Sequence, residues 1–263
     1  ARNFAIEDGP PDNLDDLDNF INTLLELSGS QISAIEVWNE PNLIREWNTD
    51  TYPFTGSGYM QLFDRAYNTI RAYSNDITIV TAGLAPTGNS AVSVQDRQYL
   101  RQMYNAGLSK YQNIAIGTHP YGWGNSPDVI CCDPFAGRDW DDQPQFFFLN
   151  TIATYHDIVS NYGHNAQLWL TEFGWTTWND LPYNPPEVWM GYLTTDEQVA
   201  YTFRAFEIGS ALDYVGPMFL WNFNFANTFT LNNHDEMAGY SLVISDENNN
   251  FQPRALYTAL RGS

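Results

Sequence analysis

The sequence is poor in basic residues and in long apolar runs. Its 263 residues include 11 Lys plus Arg against 31 Asp plus Glu, which gives a formal net charge of −20, and Lys110 is the only lysine. A negative field of this size repels nucleic acid and anionic membrane surfaces, so neither is expected as a partner. No apolar run reaches the ~18 residues that a membrane span needs. No basic segment leads into an apolar one after Ala1, so no signal peptide is predicted.

Spacings typical of metal, phosphate and serine-nucleophile sites are missing as well. The four histidines form no metal-ligand pattern, and His-Glu-x-x-His does not occur. The acidic runs that begin at Asp15 and Asp139 lack the glycine of a calcium loop, although a calcium ion near Asp139 stays a minor alternative. No glycine-rich phosphate loop and no nucleophile elbow are present. We therefore expect neither a metal nor a cofactor.

Aromatic residues, in contrast, are abundant. The chain has 9 Trp, 16 Tyr and 16 Phe, and 43% of its residues are hydrophobic, enough for a sizeable core and too many for wholesale disorder. Its length suits two ordinary domains or one α/β barrel, which typically needs about 250 residues.

Short runs rich in β-branched residues alternate with stripes of apolar residues at helical spacing. This alternation predicts βαβ units and a parallel sheet. A capping box formed by Thr194 and Glu197 marks the start of the last predicted helix. A helix near Leu14–Leu24 comes first, and five strands follow it: Ile32–Val37, Ile77–Ala82, Ile114–Thr118, Leu168–Thr171 and Val215–Trp221.

The residues that follow these strands are polar and aromatic. Glu40 follows the first strand within Trp38-Asn39-Glu40-Pro41-Asn42, and Glu172 ends the fourth within Thr171-Glu172-Phe173-Gly174-Trp175. In a parallel α/β barrel these strand ends form the active-site rim. Two carboxylates that flank a bond are what glycoside hydrolysis requires. An isolated Glu is usually a surface or ion-pair residue, but that reading is weaker for a Glu at the end of a buried strand.

These two segments closely resemble the strand-four and strand-seven motifs of clan A glycoside hydrolases, retaining enzymes with a (β/α)8 TIM barrel. The wording of the motifs, with Gly83-Leu84-Ala85-Pro86-Thr87-Gly88 between them, looks most like family 39 or a close relative. The resemblance implies that Glu40 is the acid/base and Glu172 the nucleophile. It also implies that Asn39 binds the sugar 2-hydroxyl, that His119 and Tyr121 line the sugar site, with Tyr121 able to contact the nucleophile, and that Trp221 forms the floor. Trp38, Trp175 and Asn222 lie at the same strand ends and complete the expected substrate-binding set.

The resemblance also implies a gap. If the strand before Glu40 is strand four, the chain supplies strands 4–8 of the barrel, and strands 1–3 are missing or lie in another segment. The family's strand-two Arg, which keeps the nucleophile ionised, then has no counterpart here. We expect residues 1–263 to form a single catalytic barrel domain that is incomplete at its N-terminus. Two open sheet edges could associate with a second segment or chain that completes the barrel.

Two functions from different classes fit this pattern. The first is a retaining glycoside hydrolase that cleaves β-glycosidic bonds of a polysaccharide or oligosaccharide. The second is a non-catalytic carbohydrate-binding or structural subunit on a glycosidase-like barrel, although such a subunit has no need to keep both Glu residues. For either function the expected partner is a carbohydrate and the expected location is extracellular or at the cell surface.

Two further features leave alternatives open. Cys131 and Cys132 are adjacent, and they form either two free thiols or a vicinal disulfide. Several loop tryptophans are core residues or sugar-stacking surfaces. Among these, Trp175 is the best candidate for a sugar contact because it lies close to Glu172, and Trp47 and Trp178 are weaker candidates.

Overall fold

The computed structural model describes residues 8–132, 143–248 and 250–262. The Asp139 region, considered above for calcium, lies outside the described residues. The chain folds as two compact units. Unit 1 comprises Ala1–His119 and Ala153–Trp169, and unit 2 comprises Pro120–Ile152 and Leu170–Ser263.

Unit 1 alternates helices with parallel strands. Its elements are α1 (Leu14–Ser28), β1 (Ala34–Val37), α2 (Gly56–Tyr73), β2 (Thr78–Thr81), α3 (Asp96–Asn105), β3 (Ile114–Thr118) and most of α4 (Phe148–Asn161). Helix α1 begins at Leu14 because the Asn13 side chain accepts a hydrogen bond from the Asp15 backbone N–H (3.0 Å). The predicted strands and helices of this unit are thus present, with boundaries shifted by a few residues.

Unit 2 contains the rest of the α/β pattern and a second, smaller sheet. Strand β4 (Leu168–Phe173) begins in unit 1 and ends in unit 2, where α5 (Thr195–Ala211) and β5 (Val215–Leu220) follow. The predicted capping box opens α5, with Thr194 and Glu197 bonding each other's backbone N–H. The structure then adds elements that the sequence pattern did not predict: β6 (Ala226–Asn227), α6 (Thr228–Asn232), β7 (Val243–Ser245), β8 (Phe251–Pro253) and α7 (Ala255–Gly262).

The five long strands form one sheet in the order β1-β2-β3-β4-β5. Strands β1, β2 and β3 pair in parallel, with Ala34 opposite Thr78 and Ile79 opposite Ile114. Within unit 1 the Ile116 N–H donates to the Gln167 carbonyl (2.9 Å), and within unit 2 the Trp221 N–H donates to the Phe173 carbonyl (2.9 Å). The predicted fold class is confirmed, since these are five consecutive β/α units of a barrel that has eight when complete.

Burial differs between the central and the outer strands. Every residue of β3 is buried, and three of the four residues of β2 are. In β5 no residue is buried although the strand is apolar, and in β1 only Val37 is. Both outer strands therefore have apolar side chains that remain partly open to solvent.

The ends of β1 and β2 are fixed by a buried tyrosine and a glycine. The Tyr59 hydroxyl donates to the Val37 carbonyl (2.8 Å) and accepts from the Ala82 N–H (2.8 Å), so both polar functions are satisfied. Gly117 in β3 lies against the backbone of Thr81 and Gly83, where a Cβ would collide. The absence of a side chain at Gly117 thus lets the ends of β2 and β3 pack closely together, just before the polar residues that follow these strands.

Unit 2 has its own apolar cluster, formed in part by the loop that follows β4. Its buried members are Trp178, Leu181, Met190, Ala226, Leu231 and Ala238, with Trp189 and Ile244 packed against them. Among the described helices, none is both long and apolar enough to cross a membrane.

Candidate active site

The first candidate catalytic residue, Glu40, follows β1 in a constrained segment of unit 1. Both Trp38 (φ 75°) and Glu40 (φ 43°) adopt left-handed backbone conformations. Such conformations cost on the order of 1–3 kcal/mol each and persist only where surrounding contacts impose them. Here the Glu40 N–H donates to the Gly83 carbonyl (3.0 Å), and the buried Asn42 side chain bonds both the N–H and the carbonyl of Ala85. The backbone at Glu40 is therefore held rather than free.

The Glu40 carboxylate is buried, with 9% of the residue exposed, and has two basic partners. His119 Nδ1 lies 3.0 Å from Oε1, and Arg45 Nη2 lies 3.4 Å from Oε2. Burial acts to raise the pKa of Glu40, but the hydrogen bonds and charges of His119 and Arg45 outweigh it, so the pKa lies below its ordinary value. The site thus favours the carboxylate form of Glu40 in the absence of ligand.

The second candidate, Glu172, lies near the end of β4 in unit 2. The Tyr121 hydroxyl donates to Glu172 Oε2 (2.7 Å), the contact that the family resemblance implies. The Tyr121 ring packs edge-on against Tyr240 at 5.5 Å between ring centroids. Burial, together with the negative charges of Glu236 and Glu172, raises the pKa of Tyr240, which stays a neutral phenol. A hydroxyl that donates to a carboxylate stabilises the negative charge that a nucleophile needs.

Three of the remaining predicted site residues are exposed or half-buried, and the fourth, His119, is buried. Asn39 is exposed beside Glu40. Trp38 is half-buried, and its indole N–H donates to the Glu46 carbonyl (2.9 Å). Trp221 is also half-buried, and its ring stacks on Phe225 at 5.3 Å. His119 is fully buried against Glu40, so it acts on the carboxylate first.

Trp175 is a correction. It is only 1% exposed, its indole N–H donates to the Asn125 carbonyl (2.7 Å), and its ring packs on Phe148 and Tyr201. Gly122 lies so close to the indole that a Cβ there would collide with it. A ring that is almost completely buried cannot stack on a sugar. Trp175 is therefore a packing residue of unit 2.

Asn222 and the two weaker tryptophan candidates are corrected in the same way. The Asn222 amide donates to the Met237 carbonyl (2.9 Å), and its oxygen accepts from the Ser241 hydroxyl (2.6 Å), so it braces the loop after β5. Trp47 is fully buried in unit 1, and Trp178 is 3% exposed. Proximity in sequence to Glu40 or Glu172 did not reveal whether a side chain points into solvent or into the core.

The structure also adds residues that the sequence pattern did not single out. Arg45 contacts Glu40, and Tyr240 contacts Tyr121. Arg45 lies only five residues after Glu40, so its spacing was a usable signal, whereas Tyr240 follows Tyr121 by more than a hundred residues.

Arg254 is the main brace of the loops in unit 2. Its side chain is 1% exposed and forms two hydrogen bonds to the Asp180 carboxylate (3.0 and 2.7 Å). Further donors reach the carbonyls of Thr177 (2.8 Å), Gly239 (3.0 Å) and Ser241 (2.7 Å). The guanidinium thereby links the loop after β4 to the segment that contains Tyr240.

Of the two cysteine alternatives, the structure has the vicinal disulfide between Cys131 and Cys132. The Cys131 N–H donates to the Asn150 side chain (2.6 Å), which ties the bridge to α4.

Comparisons with known proteins give structural matches only. No family model matches the sequence, and no curated protein matches it. A family 39 glycoside hydrolase from Bacteroides cellulosilyticus WH2 matches with a TM-score of 0.63 and 19% identity over 95% of this chain and 45% of its own. A family 128 (subgroup II) endo-β-1,3-glucanase from Sorangium cellulosum matches with a TM-score of 0.59 and 14% identity, over 97% of this chain and 77% of its own.

A monomeric β-xylosidase from Caulobacter crescentus CB15 matches with a TM-score of 0.55 and 15% identity over 93% of this chain and 44% of its own. These likenesses establish the fold. It is the barrel fold of these glycoside hydrolases, as the sequence motifs led us to expect. The chain spans less than half the length of the family 39 protein and of the β-xylosidase.

Proposed function

We propose that this chain is the catalytic part of a retaining glycoside hydrolase that cleaves β-glycosidic bonds. Glu172 attacks the anomeric carbon while Glu40 protonates the departing oxygen. Glu40 then deprotonates the water that releases the sugar from Glu172. Asn39 holds the 2-hydroxyl, and Tyr121 keeps Glu172 in place.

The observation that supports this proposal is the contrast between the two carboxylates. Glu40 is buried between His119 and Arg45, which can exchange or stabilise charge, whereas Glu172 accepts from the neutral phenol of Tyr121. Carboxylates with different partners are suited to different roles, as an acid/base and a nucleophile must be. Retention further requires about 5–5.5 Å between the two carboxyl groups in the intact site, against roughly 6.5 Å or more for inversion.

Substitution of each carboxylate is the first test. Glu172→Gln and Glu40→Gln should each lower kcat by several orders of magnitude while the fold is preserved, because both are isosteric and remove only the charge or the proton. Glu187→Gln, at an exposed Glu of unit 2, and Glu26→Gln, at an exposed Glu of α1, are the matched controls. Near-normal turnover in either catalytic variant would overturn its assigned role.

Trapping and stereochemistry test the roles separately. A 2-fluoro-glycoside with a good leaving group should label Glu172 covalently, as shown by peptide mass spectrometry, since the fluorine slows release of the intermediate. The first product seen by NMR should be the β-anomer. In Glu40→Ala, added azide should restore turnover and give a β-glycosyl azide. An α-anomeric first product would refute the double-displacement mechanism.

The substrate panel follows from the structural neighbours. These neighbours include an endo-β-1,3-glucanase and β-xylosidases, so β-1,3-glucans and xylo-oligosaccharides are the first substrates to test. Release of reducing sugar would support the enzyme. Binding of the same saccharides without release, by wild-type protein, would instead support the carbohydrate-binding alternative.

We also propose that further β-strands, from another segment or another chain, pair with the outer strand β1 and complete the barrel. A largely apolar groove of about 850 Å³ lies beside β1 and α1 in unit 1. Phe20, which lines it, is 66% exposed, and Leu27 on the same helix is 80% exposed. An exposed apolar surface on a helix beside an outer strand favours the addition of further protein that covers both.

The isolated chain should therefore self-associate, and Phe20→Ser with Leu27→Ser should reduce that association in sedimentation velocity. If the wild-type chain stayed monomeric at high concentration, the proposal that further protein covers the edge at β1 would be contradicted. Finally, we propose that the protein acts outside the cell, because a polysaccharide substrate is found there and disulfides persist in oxidising compartments.

A further inference from the structure

A second cavity lies in unit 2, and neither Glu172 nor Tyr121 is among the residues that line it. It has a volume of about 550 Å³, within the 300–1,000 Å³ range of small-molecule sites. The loop after β4 provides most of its wall, and His234, which follows α6, closes one side. Six of its lining residues matter here: Trp178, Asn179, Tyr183, Asn184, Pro185 and His234.

The lining is uncharged, which restricts the ligand. The residues that line this cavity include no Asp, Glu, Lys or Arg, in a chain whose formal net charge is −20. A cation site needs carboxylates, and a phosphate or carboxylate site needs Arg or Lys. Aromatic and proline rings stand beside two Asn amides and an imidazole. This combination matches a neutral ligand that has both hydroxyl groups and an apolar face.

Two rings in this cavity are held in position before any ligand arrives. Tyr183 is 41% exposed, and its hydroxyl donates to the Asn232 side chain (2.7 Å). His234 Nδ1 lies 3.2 Å from the Asn184 carbonyl, and the ring centroids of His234 and Tyr183 are 5.6 Å apart. A carbonyl can only accept, so Nδ1 bears a proton, and in the neutral ring Nε2 is then an acceptor for a hydroxyl.

Part of the cavity wall is packed into the core. Trp178 and Leu181 line the cavity and belong to the buried apolar cluster of unit 2. Asn227 caps α6 and fixes the turn that leads to His234, which has a left-handed backbone (φ 52°). A preformed ring surface loses little conformational entropy on binding.

We propose that this cavity is an accessory subsite that binds sugar units of a neutral oligosaccharide chain, with Tyr183 as the stacking surface and His234 Nε2 as a hydroxyl acceptor. The inference rests on the proposed function for its ligand class. Its wall begins six residues after Glu172, in the loop that leaves the same end of β4. A site at that end of the sheet can hold the part of a long substrate that is not being cleaved, which predicts a preference for long chains.

Binding without turnover is the direct test. In a Glu172→Gln background, calorimetric titration with laminarihexaose and with xylohexaose measures the dissociation constant. Tyr183→Ala should weaken binding of the preferred hexasaccharide by roughly fivefold or more, from loss of stacking. Tyr183→Phe should bind nearly as well as Tyr183. Phe251→Ala, which removes an aromatic ring of similar exposure outside the cavity, is the matched control.

Kinetics in the otherwise wild-type protein supply the second readout. Tyr183→Ala should raise KM for the hexasaccharide and leave kcat/KM for an aryl monoglycoside unchanged. Unchanged hexasaccharide binding and KM in Tyr183→Ala would overturn the subsite, whatever the activity. Binding that depends on Tyr183 in a protein with no hydrolytic activity would keep the subsite and refute the proposed enzyme, so the two failures are distinct.

Discussion

Replacement of Arg254 by methionine should destabilise the protein strongly. The change removes a guanidinium whose side chain is 1% exposed and keeps an apolar stem of similar length. The carbonyls of Thr177 and Ser241 would lose the guanidinium as their donor, and the Asp180 carboxylate would lose its bidentate partner. The Gly239 carbonyl would keep the Thr177 N–H and the Gln198 side chain as donors. Each orphaned buried group costs about 1–3 kcal/mol.

Asp180 is 30% exposed and can be hydrated after the change, so its share of the loss is reduced. Together these losses place Arg254→Met at about 3–5 kcal/mol, the range for breaking a buried ion pair. At about 2–4 °C per kcal/mol for a protein of this size, the melting temperature should fall by roughly 6–20 °C. Differential scanning calorimetry and urea denaturation both measure this change.

Arg204→Met is the matched control. Arg204 also makes a bidentate pair, with Asp128 (3.0 Å to Oδ2 and 2.7 Å to Oδ1), but the two side chains are 47% and 49% exposed. Water replaces such a partner readily, so its loss should leave the melting temperature near that of the wild type. If the two variants were destabilised equally, burial would not be what makes Arg254 important, and the reasoning would be refuted.

The remaining predictions concern the candidate site. His119→Asn removes a partner that lowers the pKa of Glu40, so the alkaline limb of the kcat/KM profile should move to higher pH; an unmoved limb would show that Glu40 is not the acid. Folding lowers the pKa of Glu40, so its carboxylate stabilises the protein above pH 4.5, the ordinary pKa of Glu, and this stabilisation is lost as the pH falls below 4.5. In Glu40→Gln, the urea midpoint should therefore depend less on pH in the range below 4.5. Trp175→Phe should lower stability and leave KM unchanged, since the ring is buried; a raised KM with normal stability would restore Trp175 as a sugar contact.

Local sequence patterns were sufficient to predict the alternating elements. Strand β3 was predicted with both boundaries correct, and the capping box at Thr194 was predicted with its partner Glu197. These features depend on neighbours within four residues, and so hydrophobic period and capping chemistry are enough to find them. The small sheet β6-β7-β8 was missed because its strands are only two or three residues long and give no period.

The amino-acid sequence alone establishes which chemistry is available: two glutamates at strand ends, few basic groups, and many aromatic rings. How those groups are used depends on the tertiary structure. In the folded protein, His119 and Arg45 contact the Glu40 carboxylate, the Tyr121 hydroxyl donates to Glu172, and Trp175 is buried in the core. The physical reason is that burial and hydrogen bonding between residues far apart in sequence depend on how strands and loops pack. The residue pattern of one strand does not show which side chains from distant parts of the chain will pack against it.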